Sequence, residues 1–126
     1  MPYDKNISPV GWYVVSYLIR FVELEDEGRD DDEARFLSWE NTILVQAESL
    51  DEAFEKGTLF GKETTQPYRG GPDGAMVQWD FVGITDVTPV YEEFKDGSEI
   101  ALTERSPRKL RNLRQMVGAS STSFKQ

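Results

Sequence analysis

The chain has 126 residues, a formal net charge of −9, 38% hydrophobic residues, no cysteine and no histidine. No disulfide framework or thiolate zinc site is available, and the commonest general base and transition-metal ligand are both missing. Chemistry would fall to carboxylates, Lys, Tyr, Ser or Thr, and so acidic a surface disfavours nucleic acid and anionic lipid as partners.

Three Trp, seven Phe and five Tyr predict a folded core rather than a disordered chain. At this length a single domain buries roughly two-thirds of the surface its unfolded form exposes. Residues 1–9 read as a loose arm bounded by Pro2 and Pro9. No basic leader with a small-residue cleavage site follows it, and no stretch reaches a membrane-spanning length. The expectation is a cytoplasmic protein without membrane contact.

Trp12 to Leu24 is the first strand and the element around which the rest is arranged. At period two, Tyr13, Val15, Tyr17, Ile19 and Phe21 form an uncharged face. The opposite face is apolar except for Ser16 and Arg20. Such a strand belongs in the centre of a sheet, with its second face covered by a helix, a long loop or another subunit. Eight acids follow between Glu23 and Glu33, relieved only by Arg29. The segment reads as a solvated hairpin tip extended by like-charge repulsion. Its acids do not fall at the spacing of a helix-loop-helix calcium site.

Arg35 to Glu48 alternates, with Leu37, Trp39, Ile43, Val45 and Ala47 on one side. It predicts a second strand antiparallel to the first, with Phe36 and Leu44 as apolar intruders on the polar side. Ser49-Leu50-Asp51-Glu52 is a capping-box pattern opening a helix with Leu50, Ala53, Phe54, Gly57 and Phe60 on its apolar stripe. Gly57 would cost about 1 kcal/mol relative to Ala, so its place on that stripe implies close approach to the sheet.

Lys62 to Gly74 is a long Gly- and Pro-containing connection without a phosphate-binding pattern. Together with Gly28 to Asp32, its Gly70 to Gly74 portion is expected to be mobile. Ala75 to Val90 predicts a third strand whose apolar register moves from Val77, Trp79 and Phe81 to Val82 and Ile84 around Gly83, the mark of a bulge. Asp96-Gly97 predicts a turn, with Glu99 to Thr103 returning on Tyr91 to Phe94 as a fourth strand. Ser106 and Pro107 suit the start of a last helix, and Gly118 suits its exit. Leu110, Leu113 and Met116 or Val117 form its thin apolar stripe.

The order of these pieces resembles the bacterial domain-of-unknown-function family 4288. Trp12-Tyr13 opens a long strand, a second strand precedes Ser49 to Gly57, and Phe81-Val82-Gly83-Ile84-Thr85-Asp86 and Asp96-Gly97-Ser98-Glu99-Ile100 follow. The likeness covers about Gly11 to Glu104. It implies an α+β domain with no assigned activity, and it carries over no catalytic or binding residue.

The predicted fold is therefore α+β: an antiparallel four-stranded sheet of two hairpins, ordered β-β-α-β-β. One helix lies across a face, and a basic helix follows at the C-terminus. Residues 1–105 are expected to form one domain, 106–118 the basic helix and 119–126 a disordered tail. From Arg105 onward there are six cations and no acid. The functional expectation is a non-catalytic protein-binding or oligomerisation module, a homodimer or a binder of another protein. Its candidate surface is Arg108, Lys109, Leu110, Arg111, Leu113 and Arg114. No catalytic, cofactor or metal residue is assigned, and no cofactor is expected. The alternatives are a carboxylate enzyme, with or without Mg²⁺, drawing on Asp80, Asp86, Glu92, Glu93 and Glu99, or nucleic-acid contact through the C-terminal basic helix, along Ser106 to Val117. The latter stretch has no aromatic side chain among its cations.

Overall fold

The computed structural model describes residues 4–63, 65–70 and 72–126. Four strands form one antiparallel sheet in the order β2-β1-β4-β3: β1 is Trp12–Glu23, β2 Ser38–Gln46, β3 Tyr68–Arg69 and β4 Met76–Pro89. Helix α1, Leu50–Glu63, crosses one face, and a short helix α2, Leu110–Gln115, lies near the C-terminus. The α+β class holds.

β1 is central, paired on both sides. Its odd residues face α1, and Tyr13, Val15, Tyr17 and Ile19 are all buried there. The packing is close because α1 presents Ala53, Gly57 and Gly61, spaced one turn apart, as its buried line. A Cβ at Gly57 would stand 2.5 Å from Val15 Cγ1, and one at Gly61 would stand 2.5 Å from the Phe81 ring. Glycine is what lets helix backbone rest on strand side chains here. Phe54 and Phe60, expected on the same stripe, are about half exposed.

α1 starts where the capping pattern places it. Ser49 Oγ accepts from the Glu52 amide at 3.1 Å. The return bond shifts by one residue, because Glu52 Oε2 accepts from the amide of Glu48 (3.4 Å) rather than that of Ser49. Ser49→Ala is expected to lower stability by about 1 kcal/mol, the usual value of an N-cap oxygen. Thermal unfolding followed by circular dichroism checks this; an unchanged midpoint would mean that the cap is not stabilising.

The expected bend in β4 is a pair of bulges. Its ladder with β1 steps from Phe81 to Gly83 and from Ile84 to Asp86, leaving Val82 and Thr85 as inserted residues. Two insertions move the inward phase from Phe81 to Ile84 and then to Val87. Val82, read from sequence as inward, is instead the exposed extra residue.

Three expectations are corrected. Glu99 to Thr103 is not a strand, so the second hairpin does not form. The Asp96-Gly97 turn exists, with Gly97 at φ 88° and the Ser98 amide donating to the Lys95 carbonyl at 3.0 Å. Its flanks find no free edge on β1, because both sides of that strand are already occupied. The fourth strand is Tyr68–Arg69, drawn from the long loop onto Met76 and Val77. Second, α2 begins at Leu110 with Lys109 at the cap position and no side-chain cap, not at Ser106-Pro107. Every residue of the segment is exposed, so no burial offsets the cost of nucleating an earlier turn. Third, the arm is anchored at Ser8, while Met1 to Tyr3 lie outside the described residues. Ser8 is buried: its amide donates to Tyr13 Oη at 3.0 Å, and its hydroxyl donates to the Val90 carbonyl.

Candidate functional site

The even residues of β1 face away from α1 and form the floor of a second, more polar surface. At one end Trp12 meets Phe94 edge-on, with ring centroids 5.4 Å apart. That contact ties the segment after β4 to the sheet. In the middle, Thr42, Ser16 and Asp86 sit abreast on β2, β1 and β4. The Ser16 and Thr42 hydroxyls are hydrogen-bonded at 2.8 Å, and Asp86 accepts from Thr88 Oγ1 at 3.0 Å. These residues, with Glu40 and the passing segment Ala101 to Glu104, line an open hollow of about 490 Å³.

Its size falls within the range of small-molecule sites. Its chemistry does not follow suit. Three hydroxyls, those of Ser16, Thr42 and Thr103, stand among carboxylates, and no lining residue is basic. A serine nucleophile needs a base to take its proton and donors for the developing oxyanion. Here Ser16 Oγ is engaged with another hydroxyl, and no cation faces it.

At the other end the charges are organised. Arg20 Nε donates to Asp80 Oδ2 at 3.0 Å, and its NH1 donates to the Arg29 carbonyl at 2.7 Å. The guanidinium also lies 4.6 Å over the Phe36 ring. Arg29 in turn donates to the Leu24 carbonyl. The acidic loop therefore folds as successive turns, with Arg20 clasping it to the sheet and Arg29 bonded back to its base. Sequence alone showed Arg20 as an interruption and Phe36 as an intruder; together they form the clasp. The signal that could have found it was a lone Arg in mid-strand followed by a loop of carboxylates.

The sequence-derived candidates are dispersed. Of the carboxylates, Asp80 belongs to the Arg20 clasp and Asp86 to the open hollow. Glu92 and Glu99 border a small depression of about 70 Å³, where the Glu99 amide donates to Glu92 Oε2 at 3.4 Å. Both are exposed or nearly so, as is Glu93. None of the five is withdrawn from water in the way that a general acid requires. Among the described residues, no group of three or more acids is placed to hold a metal ion. Arg108, Lys109, Leu110, Arg111, Leu113 and Arg114 are all exposed on and just before α2.

The family model Domain of unknown function (DUF4288) matches residues 12–102. The chain belongs to that family. The matched span covers the whole sheet, α1 and the first half of the segment passing the hollow, and it leaves α2 outside. No curated protein and no solved structure matches the chain. Among the described residues, no helix is long and apolar enough to cross a membrane.

Proposed function

We propose that this DUF4288 protein is a non-catalytic association module, with residues 1–105 as its body and the α2 segment as a partner-facing appendage. The observation that carries this reading is α2 itself. It is six residues long and exposed throughout, with Leu110 at 59% and Leu113 at 42% accessibility. A helix so short is not stable in water without a surface to dock on. Leu110, Leu113, Met116 and Val117 would contribute a few kcal/mol on burial at about 25 cal/mol per Å². The cations between them would meet an otherwise acidic body, an attraction worth up to about 1 kcal/mol per exposed pair and screened by salt.

The reading is tested by light scattering of the intact chain and of Leu110→Asp combined with Leu113→Asp. A homodimer is expected, with the double variant shifted toward monomer. Equal masses for the two proteins would remove α2 from the association surface.

A further inference from the structure

We infer that β2 is an open pairing edge for a second copy of the chain, the two β2 strands running antiparallel about a twofold axis at Thr42. The inference rests on the reading of the chain as an association module, but it seats the contact between copies on the sheet edge rather than on α2, and it names the surface and the register.

The two sides of the sheet end differently. Beyond β3, β4 carries two bulges, Asp80, Asp86 and a terminal Pro89, features that blunt an edge against further strands. β2 has no bulge, proline or lysine along its nine residues, Ser38 to Gln46. Its hydrogen-bonding phase is fixed at both ends, where Phe21 donates to the Leu37 carbonyl and Ala47 donates to the Gly11 carbonyl. Odd residues of β2 thus bond to β1, and the even residues turn their N–H and C=O outward. At Gln46 the outward carbonyl accepts from Lys56 Nζ at 2.6 Å. The outward backbone groups of Ser38, Glu40, Thr42 and Leu44 have no partner among the described residues.

Charge and overlap together select the register: centres at Asn41 and Ile43 also keep the acids apart but overlap only seven residues of β2, whereas a centre at Thr42 overlaps all nine. Centred on Glu40, two copies would set Glu40 against Glu40; centred on Leu44, Glu40 would face Glu48. Centred on Thr42, Glu40 faces Leu44 of the second copy, Thr42 faces Thr42, and no acid opposes an acid. Like charges directly opposite destabilise a strand pair, whereas an aromatic beside a β-branched residue stabilises it. The same register sets Trp39, which is 54% exposed, opposite Val45 on the α1 side of the sheet. Residues 40, 42 and 44 of each copy would exchange about six backbone hydrogen bonds.

A nine-residue edge is about 30 Å long, and a strip roughly 15 Å wide buries on the order of 900 Å² over both copies. That is the low end for a specific interface, so the dimer should be a micromolar one. Because two acidic bodies approach one another, added salt should tighten it. A contact made by the cations of α2 would instead weaken.

Sedimentation velocity of the full chain over a concentration series tests this. The intact protein should dimerise, more tightly at high salt. Leu44→Glu should weaken dimerisation by about tenfold or more, since it creates two facing acid pairs. Adding Glu40→Lys to Leu44→Glu should restore it, because the introduced lysine of each copy would then face the introduced glutamate of the other. Thr42→Pro, which removes an outward amide while sparing the backbone bonds to β1, should also give monomer with an unchanged circular dichroism spectrum. If Leu44→Glu and Thr42→Pro dimerise like the parent while the α2 double variant is monomeric, the edge proposal is overturned and the association reading stands. A monomer at every concentration and salt overturns the edge proposal and the homodimer together.

Discussion

Gly57→Val is expected to destabilise the protein by about 3 kcal/mol or more. A methyl at Gly57 already falls 2.5 Å from Val15 Cγ1 and 3.2 Å from its Cβ, and Val15 is fully buried. Overpacking of this kind typically costs about 1–3 kcal/mol, and a branched side chain adds further clashes and loses rotamer freedom in a helix. For a chain of this size, a loss of about 3 kcal/mol corresponds to a fall in Tm of roughly 10–15 °C.

Gly57→Ala gives a sharper test, because two effects oppose each other. The helix gains about 1 kcal/mol of propensity, and the contact loses about 1–3 kcal/mol. In the parent the contact should win and Gly57→Ala should destabilise. In a Val15→Ala background the obstructing methyls are gone, so the same change should stabilise by up to about 1 kcal/mol. Denaturant unfolding of the four proteins reads this reversal directly. A Gly57→Val protein as stable as the parent would mean that α1 does not rest on Val15.

Arg20→Ala should cost about 2 kcal/mol and release the acidic loop. Hydrogen bonds to charged groups contribute about 1.5–3 kcal/mol, here reduced because the Asp80 side chain is 42% exposed. The cation over the Phe36 ring adds about 0.5–1 kcal/mol. Asp30, 3.9 Å from Arg20 with a side chain 84% exposed, should contribute almost nothing. Arg20→Lys should restore little, because an ammonium cannot serve Asp80, the Arg29 carbonyl and the Phe36 face at once.

Amide exchange separates this clasp from a general loss of stability. Amides from Asp26 to Ala34 should exchange much faster in Arg20→Ala, while Val14 to Ile19 keep most of their protection. Unchanged exchange in the loop would show that the turns hold themselves without Arg20. Repulsion among eight acids would by itself extend the loop; Arg20, Arg29 and a set of turn hydrogen bonds instead hold it folded.

Much of the framework was legible because local chemistry and tertiary demand coincide there. An uncharged face backed by a second face that is apolar except for Ser16 and Arg20 marked β1 as central, since a strand apolar on both faces needs cover on both. Ser49 and Glu52 announced α1, and Gly57 announced a close contact, because a glycine on an apolar stripe is otherwise only a cost. The disturbed phase around Gly83 announced the bulges, although not which residues they insert. Less of the candidate site was legible. The carboxylates at 80, 86, 92, 93 and 99 are equivalent in sequence, and only the sheet register assigns Asp80 to Arg20 and Asp86 to the hollow.

Class, central strand, capped helix and charge asymmetry follow from residues and their near neighbours alone, because each depends on contacts within a few positions. Which segment completes the sheet does not. Tyr68–Arg69 pairs with β4, whereas Glu99 to Thr103, with the better strand pattern, passes over the polar face without joining an edge. Nor could alternation foretell that Trp39 remains half exposed. α1 lies over β1 and β4, and the N-terminal half of β2 is left beside it, with the Trp39 ring stacked on Trp79 at 4.5 Å. The physical reason is the same in each case. Alternation states which face a strand would bury, but the supply of free edges and covering surface is a property of the whole sheet.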